Sequence, residues 1–387
     1  MKVAYFHHSG DLYGASKSLL YLIIELRKKG VDPLVILAED GPFHSVLLEN
    51  GIRVELLTSV PVLRRKIFRS YVSFFQYCFY YVKSFNVVTK LLRKHAIDIV
   101  HSNDMMIGFF PGIIAKIMKL PHVCHIRTNV SEFKTSIKLV GWLLPALSDV
   151  LICISKTVLL QFGSQPDPKM KLVYNGLPLD IINLKLPFKK DFRSNLGFSQ
   201  GDKVICCVGR INSWKGQDFL ARAFASIAHE LPDNVKLLFV GDSYPGSEFY
   251  QTQLEASIEQ LGIRERTTQI SFITDVRSVY EAIDILVVPS IVPEPFGLVV
   301  VEGMTYGCPI IAANHGGPSE ILKDHVTGLL YEPGDLQGLA ERIRQLVVDD
   351  SLRLELATNA AKFMKNSYSI AETADSVYNI YRSCLSG

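Results

Sequence analysis

Two carboxylates, Glu294 and Glu302, flank a Pro-Phe-Gly turn and four apolar residues in the stretch EPFGLVVVE, residues 294–302. Pro295 and Gly297 mark a tight loop. Leu298 to Tyr306 fits a helix, with Gly307 just past its end. The preceding run IDILVVP, residues 283–289, reads as a buried strand. The acids therefore flank a strand-to-helix crossing, with Glu294 in the loop and Glu302 about a turn and a half into the helix. Free N–H groups at a helix start favour an anion, and a carboxylate such as Glu302 accepts hydrogen bonds from vicinal hydroxyls. A phosphate beside a diol is the chemistry of a sugar nucleotide. Two isolated acids would usually be a loop charge and an exposed helix residue. The turn between them, and a basic cluster upstream, argue instead for a site.

That cluster is Gly209-Arg210-Ile211-Asn212-Ser213-Trp214-Lys215-Gly216, directly after the strand-like run KVICCV at 203–208. Arg210 falls at the strand end and Lys215 where the next helix begins, so both charges are expected above the sheet edge. Arg offers a fork for phosphate oxygens and Lys a point charge. Together they can neutralise a diphosphate without a metal. No Asp-x-Asp element, the usual source of hard oxygen ligands for a metal-bridged diphosphate, occurs in the chain.

The elements that must hold these residues alternate along the whole chain. Strand-like runs are expected at 2–6, 33–38, 53–57, 98–101, 122–126 and 149–154, then at 203–208, 235–240, 269–273, 284–288, 309–312 and 328–331, with amphipathic helical runs between most of them. This predicts α/β architecture with two parallel, helix-covered sheets. At 387 residues the chain is long for one core. The polar stretch IINLKLPFKKDFRSNLGFSQGD, residues 181–202, suggests domains at 1–180 and 181–368, with a final helix at 369–387. Ligands of such sheets bind at the carboxyl ends of the strands, so two facing sheets would form a cleft. Seven cysteines without a CxxC pair, no signal-like N-terminus and no apolar run long enough to span a bilayer suggest a cytoplasmic protein. Residues 1–180 carry 22 basic and 13 acidic side chains, a balance of +9, so that half should face something anionic.

This combination resembles the retaining glycosyltransferases of family 4, of the two-domain GT-B fold, over nearly the whole chain. The resemblance rests on Gly209-Arg210 with Lys215-Gly216, on Glu294 with Glu302, and on His315-Gly316-Gly317-Pro318-Ser319-Glu320. Weaker parts are Ser9 to Ala15, His125-Ile126-Arg127, Ser155-Lys156 and Asn175-Gly176. It implies that Arg210 and Lys215 bind the diphosphate, that Glu294 contacts the transferred sugar, and that Glu302 contacts the ribose. It further implies that Gly209 and the backbone of Phe296, Gly297 and Leu298 approach sugar and phosphate, that Gly10 lets the first loop close on the β-phosphate, and that His125 lies near the donor sugar. Gly10 could equally be an ordinary turn glycine, and His125 a structural histidine. Many relatives have an acidic residue after the His. Here Ile126-Arg127 follows, and Arg127 is expected to touch an acceptor phosphate. Gly316-Gly317 is read as a flexible turn beside the sugar. Glu320, Asp242 and Asp275 are read as structural.

No acidic residue occurs between Glu55 and Asp98, a segment with eight cations and nine aromatic residues. Residues 60–94 are therefore expected to rest on an anionic membrane, with some aromatics packing on the sheet. Nucleic acid is the weaker partner, because no RNA-binding module is visible. The reading is a retaining, metal-independent transferase with no cofactor, moving a sugar from a nucleotide-sugar donor to a lipid-linked or polysaccharide acceptor. Family frequency slightly favours a UDP-sugar over GDP-mannose. No enzymic nucleophile is evident, so a front-face reaction follows from the resemblance. A sugar-nucleotide epimerase and a non-catalytic nucleotide-sugar-binding protein are the alternatives. The C-terminal helix and residues 178–200 are expected to act as a hinge.

Overall fold

The computed structural model describes residues 1–62, 71–129, 142–164, 166–178, 192–273, 275–365 and 367–386. The chain forms two units, Met1–Pro178 with Ser369–Gly387, and Leu179–Tyr368. The expected hinge at 178–200 falls largely on 179–191, outside the described residues.

In the first unit the parallel strands β1 (Lys2–His7), β2 (Asp32–Leu37), β3 (Arg53–Leu56), β4 (Ile99–Ser102), β5 (His122–Ile126), β6 (Val150–Cys153) and β7 (Met170–Leu172) lie in the order β3-β2-β1-β4-β5-β6-β7. Val3 to Phe6, Leu34 to Leu37 and Val123 to Ile126 are buried almost without break, as strands covered on both faces must be. The three-residue edge strand β7 escapes the sequence pattern because it is too short to show a period. The helix Met105–Met118 is started by Asp104, whose carboxylate accepts from the Met106 N–H at 2.8 Å.

The C-terminal helix Ile370–Ser386 belongs to this unit. It packs on the helix Gly14–Lys28, and Lys29 Nζ pairs with Asp375 at 2.5 Å. The Ile370 N–H donates to the Leu177 carbonyl at 3.0 Å. Tyr381, fully buried, carries its hydroxyl to Tyr5 and His101.

The second unit repeats the plan with β8 (Lys203–Val208), β9 (Val235–Val240), β10 (Thr267–Ile270), β11 (Ile285–Val288), β12 (Ile310–Ala313) and β13 (Leu329–Tyr331), ordered β10-β9-β8-β11-β12-β13. Strand β10 begins two residues earlier than its apolar run suggests. Its register is set by β9, which pairs Thr267 with Leu237 and Ile270 with Val240. Phe272, read as strand, lies past its end, with its N–H bonded to Asp242 at 2.9 Å. In both units the strands stay parallel while the order in which they are added reverses beside the first strand, between β1 and β4 and between β8 and β11. Such switch points leave a crevice at the carboxyl ends of the strands.

Candidate functional site

In the second unit the loops after β8 and β11 meet at the switch point. Gly209 and Arg210 follow β8, and Gly216, with φ 79°, immediately precedes the helix Gln217–Ile227. Asn212 Oδ1 accepts from the N–H groups of Trp214 and Lys215 at 3.1 and 2.9 Å, folding the loop back on itself. The Ile291 N–H donates to the Trp214 carbonyl at 2.9 Å and ties this loop to the one after β11.

The result joins two of the sequence-selected residues directly. Lys215 Nζ lies 2.8 Å from Glu294 Oε1, with the carboxylate side chain 5% and the ammonium side chain 15% exposed. Ser290 Oγ also donates to Glu294 Oε1. Arg210 is buried, and its guanidinium carbon lies 3.6 Å from the centre of the Tyr244 ring. Glu302, also buried, accepts from the Tyr280 hydroxyl at 2.8 Å, and Tyr280 stacks on Tyr306. Burial, then the Glu302 charge, pushes the Tyr280 phenol well up, so it stays a donor. Gly297 starts the helix Leu298–Thr305 without a side-chain cap of its own. Tyr244, Tyr280 and Ser290 had no signal of their own in the sequence. Each is an ordinary residue made relevant by position.

The Gly316-Gly317 pair differs from its expectation. It opens the helix Gly316–Ile321 and is not a flexible turn. The Gly317 N–H donates to the Glu294 carbonyl at 2.8 Å, and a Cβ on Gly317 would overlap the Phe296 carbonyl. The pair is a wedge that lets this helix seat against the loop carrying Glu294, Phe296 and Gly297. His315 supports the same loop, with Nε2 2.7 Å from the Ser290 carbonyl. Asp242 ties two loops through Phe272, and Asp275 accepts from Ser278 Oγ at 2.5 Å. Both serve local structure.

In the first unit the carboxyl edge is buried and gathers imidazoles around one cation, Arg127, and one carboxylate, Asp104. His125 Nδ1 lies 2.7 Å from His101 Nε2. His7 Nε2 contacts Ser16 Oγ at 2.9 Å, and its Nδ1 contacts Asn103 Nδ2 at 3.0 Å. Burial first, and the nearby Arg127 charge, hold His101 and His125 well below the usual imidazole range. Arg127 donates from Nε to Asn103 and from Nη1 to Asn175, at 2.9 and 2.8 Å, while its buried Nη2 has no partner among the described residues. Gly10 packs backbone to backbone on Asp40 and Gly41, where a Cβ would overlap the Asp40 carbonyl, and the Phe43 N–H donates to its carbonyl at 2.9 Å. Packing alone therefore accounts for a glycine there.

The helix Tyr71–Lys94 shows two faces. Tyr81, Phe85, Val88 and Leu92 pack into the core, Tyr81 edge-on to Phe110 at 4.9 Å. Val72, Phe75, Phe79 and Val82 are exposed. Arg64, Arg65, Lys66, Phe68 and Arg69 lie outside the described residues. Among the described residues no helix is long and apolar enough to cross a membrane.

Two parallel α/β units, one with cations and carboxylates gathered at its switch point, define the GT-B class of sugar-transferring enzymes. Residues 188–363 match the family described as Glycosyl transferases group 1, and residues 13–181 match Glycosyltransferase Family 4. An uncharacterized glycosyltransferase of Methanocaldococcus jannaschii is 29% identical over 300 residues, 74% of this chain and 75% of its own length. A D-inositol 3-phosphate glycosyltransferase of Segniliparus rotundus is 30% identical over 231 residues, 59% of this chain and 50% of that protein. The crystal structure of Anabaena HepE in complex with UDP and glucose superposes with a TM-score of 0.85 at 25% identity, covering 99% of this chain and all of HepE. The chain belongs to the family 4 glycosyltransferases and is a glycosyltransferase of GT-B fold.

Proposed function

We propose that this enzyme is a retaining, metal-independent glycosyltransferase. It moves a sugar from a nucleotide-sugar donor to a hydroxyl of a lipid-linked or polysaccharide acceptor in cell-surface glycan assembly. The carrying observation is the buried Lys215–Glu294 pair at the switch point that Arg210 also borders. Without donor, each charge neutralises the other. A bound diphosphate gives Lys215 a second anionic partner and leaves a Glu294 oxygen for a sugar hydroxyl. Arg210, braced on Tyr244, supplies the fork for the phosphate oxygens, and Glu302, held by Tyr280, the acceptor for the ribose hydroxyls. Gly209 and the backbone at Phe296, Gly297 and Leu298 line the approach.

As the bond from the anomeric carbon to the leaving phosphate lengthens, negative charge grows on that phosphate. Lys215, Arg210 and the uncapped helix start stabilise it, which is the role a metal would otherwise take. The acceptor hydroxyl attacks from the same face and its proton passes to the leaving phosphate. The HepE complex with UDP and glucose supports a UDP-sugar over GDP-mannose. The buried Arg127 Nη2, without a partner among the described residues, supports contact with an acidic group of the acceptor. The exposed stripe of Val72, Phe75, Phe79 and Val82, in a segment free of acids, supports peripheral contact with an anionic membrane face.

The test is thermal stabilisation of the full chain by UDP, GDP and their common sugars in EDTA, followed by NMR of slow UDP-glucose hydrolysis. UDP ligands should raise the melting temperature without metal, and α-glucose should appear first. Stabilisation by GDP ligands alone would overturn the nucleotide, a metal requirement the metal independence, and β-glucose first the retention.

A further inference from the structure

Four buried side chains from four different elements form one hydrogen-bonded line in the first unit. Tyr5 of β1 and Tyr381 of the C-terminal helix have hydroxyls 3.3 Å apart. The Tyr381 hydroxyl lies 2.5 Å from Nδ1 of His101, in β4. His101 Nε2 lies 2.7 Å from Nδ1 of His125, in β5. None of the four is more than 1% exposed. His125 Nε2, the open end of the line, has no hydrogen-bond partner among the described residues.

A neutral imidazole has one donor and one acceptor nitrogen, so a direction set at one end passes through both rings. Both rings are held neutral by burial and by the Arg127 charge beside them. The direction follows from where the hydroxyl hydrogens can go. Tyr5 has no second hydrogen-bond partner among the described residues. Were Tyr381 to donate to Tyr5, the Tyr5 hydrogen would be buried with no acceptor. With Tyr5 donating to Tyr381, Tyr381 donates to His101 Nδ1, and His101 Nε2–H donates to His125 Nδ1. Every hydrogen in the line but the last is then used, and the last, on His125 Nε2, sits at the open end instead of beside the sealed Tyr5 hydroxyl.

We propose that Tyr381 of the C-terminal helix, acting through His101, fixes His125 as its Nε2–H tautomer, so that His125 presents a hydrogen-bond donor to substrate oxygen and is not the general base. Tyr381 and His101 are positioning residues. The oxygen that His125 meets is a sugar hydroxyl or a phosphate oxygen, and the acceptor proton leaves by another route. The substrate half of this inference rests on the donor-sugar reading above. The tautomer half needs no substrate, so the two fail separately.

The experiment is a long-range proton–nitrogen correlation spectrum of the full chain labelled with 15N-histidine. His125 and His101 are assigned from signals lost in His125→Gln and His101→Gln. The wild type should show both rings protonated at Nε2 only. Tyr381→Phe should lose that single state, with an Nδ1–H population appearing on His125. Tyr5→Phe should keep it, because Tyr381 still donates. An Nδ1–H His125 in the wild type, an unchanged spectrum in Tyr381→Phe, or a switched one in Tyr5→Phe would each overturn the proposal. Should Tyr381→Phe fail to fold, the wild-type and Tyr5→Phe spectra decide.

Discussion

The two units share a strand order and differ at the edge where ligands bind. The second carries opposite charges, Arg210, Lys215 and Glu294 on loops and Glu302 on a helix, in segments that pass through left-handed glycines such as Gly216 and Gly297. The first carries mainly neutral imidazoles, His7, His101 and His125, with amides and, among its described residues, one buried cation, Arg127, near the buried carboxylate of Asp104. One topology therefore supports two kinds of polar site. Paired charges suit a diphosphate, which exchanges one set of ionic partners for another. Neutral, directional groups suit a sugar, which offers hydroxyls and no net charge.

The largest test of this difference is acid. Burial lowers His122 to about 4, and moves His7, His101 and His125 in the same direction. Between the unfolded imidazole value of about 6.5 and that lowered value, the unfolded chain binds protons that the native chain refuses, so stability falls as pH falls through this window. His122 alone should cost about 3 kcal/mol by pH 4. Hydrogen exchange read by mass spectrometry, corrected for intrinsic rates, should show the first unit opening before the second as pH drops from about 6.5 to 4. Simultaneous opening would erase the contrast.

Lys215→Ala should lower kcat by about 10²–10³-fold, as loss of a charge-stabilising donor does, while Glu294→Gln should lower it less because Gln still bonds a hydroxyl. Equal losses would mean that the pair acts only as structure. Gly317→Ala should cost about 1–3 kcal/mol by overpacking, visible as a lower melting temperature and weaker UDP stabilisation. Gly10→Ala should lower the melting temperature without that second effect if its role is packing alone. Arg210→Lys, keeping the charge and losing the fork and the Tyr244 stack, should raise donor KM by roughly tenfold. The smallest effect should come from Phe75→Ser with Phe79→Ser. Folding should change by no more than about 0.5 kcal/mol, while sedimentation with anionic vesicles should fall several-fold.

Much of the architecture was legible in the residues. Long apolar runs separated by amphipathic ones mark strands buried on both faces, and both sheets follow from them. β10 was misplaced because register is set by its neighbour β9, and β7 was missed because three residues carry no period. At the site, Arg210, Lys215, Glu294 and Glu302 stood out by charge and spacing beside glycines. Tyr244, Ser290 and Tyr280 did not, being brought in from separate elements. Gly316-Gly317 was noticed as a pair and misread, since a flexible turn and a tight wedge both call for glycine.

The sequence by itself determined the alternating α/β pattern and which charges mark the second unit's edge, because these depend on local composition and on what lies within a few residues. Only the tertiary structure decided that Lys215 neutralises Glu294, and that a tyrosine near the chain end reaches a histidine in β4. Those contacts join residues 79 and 280 positions apart. Their partners are chosen by packing, and no local pattern encodes them.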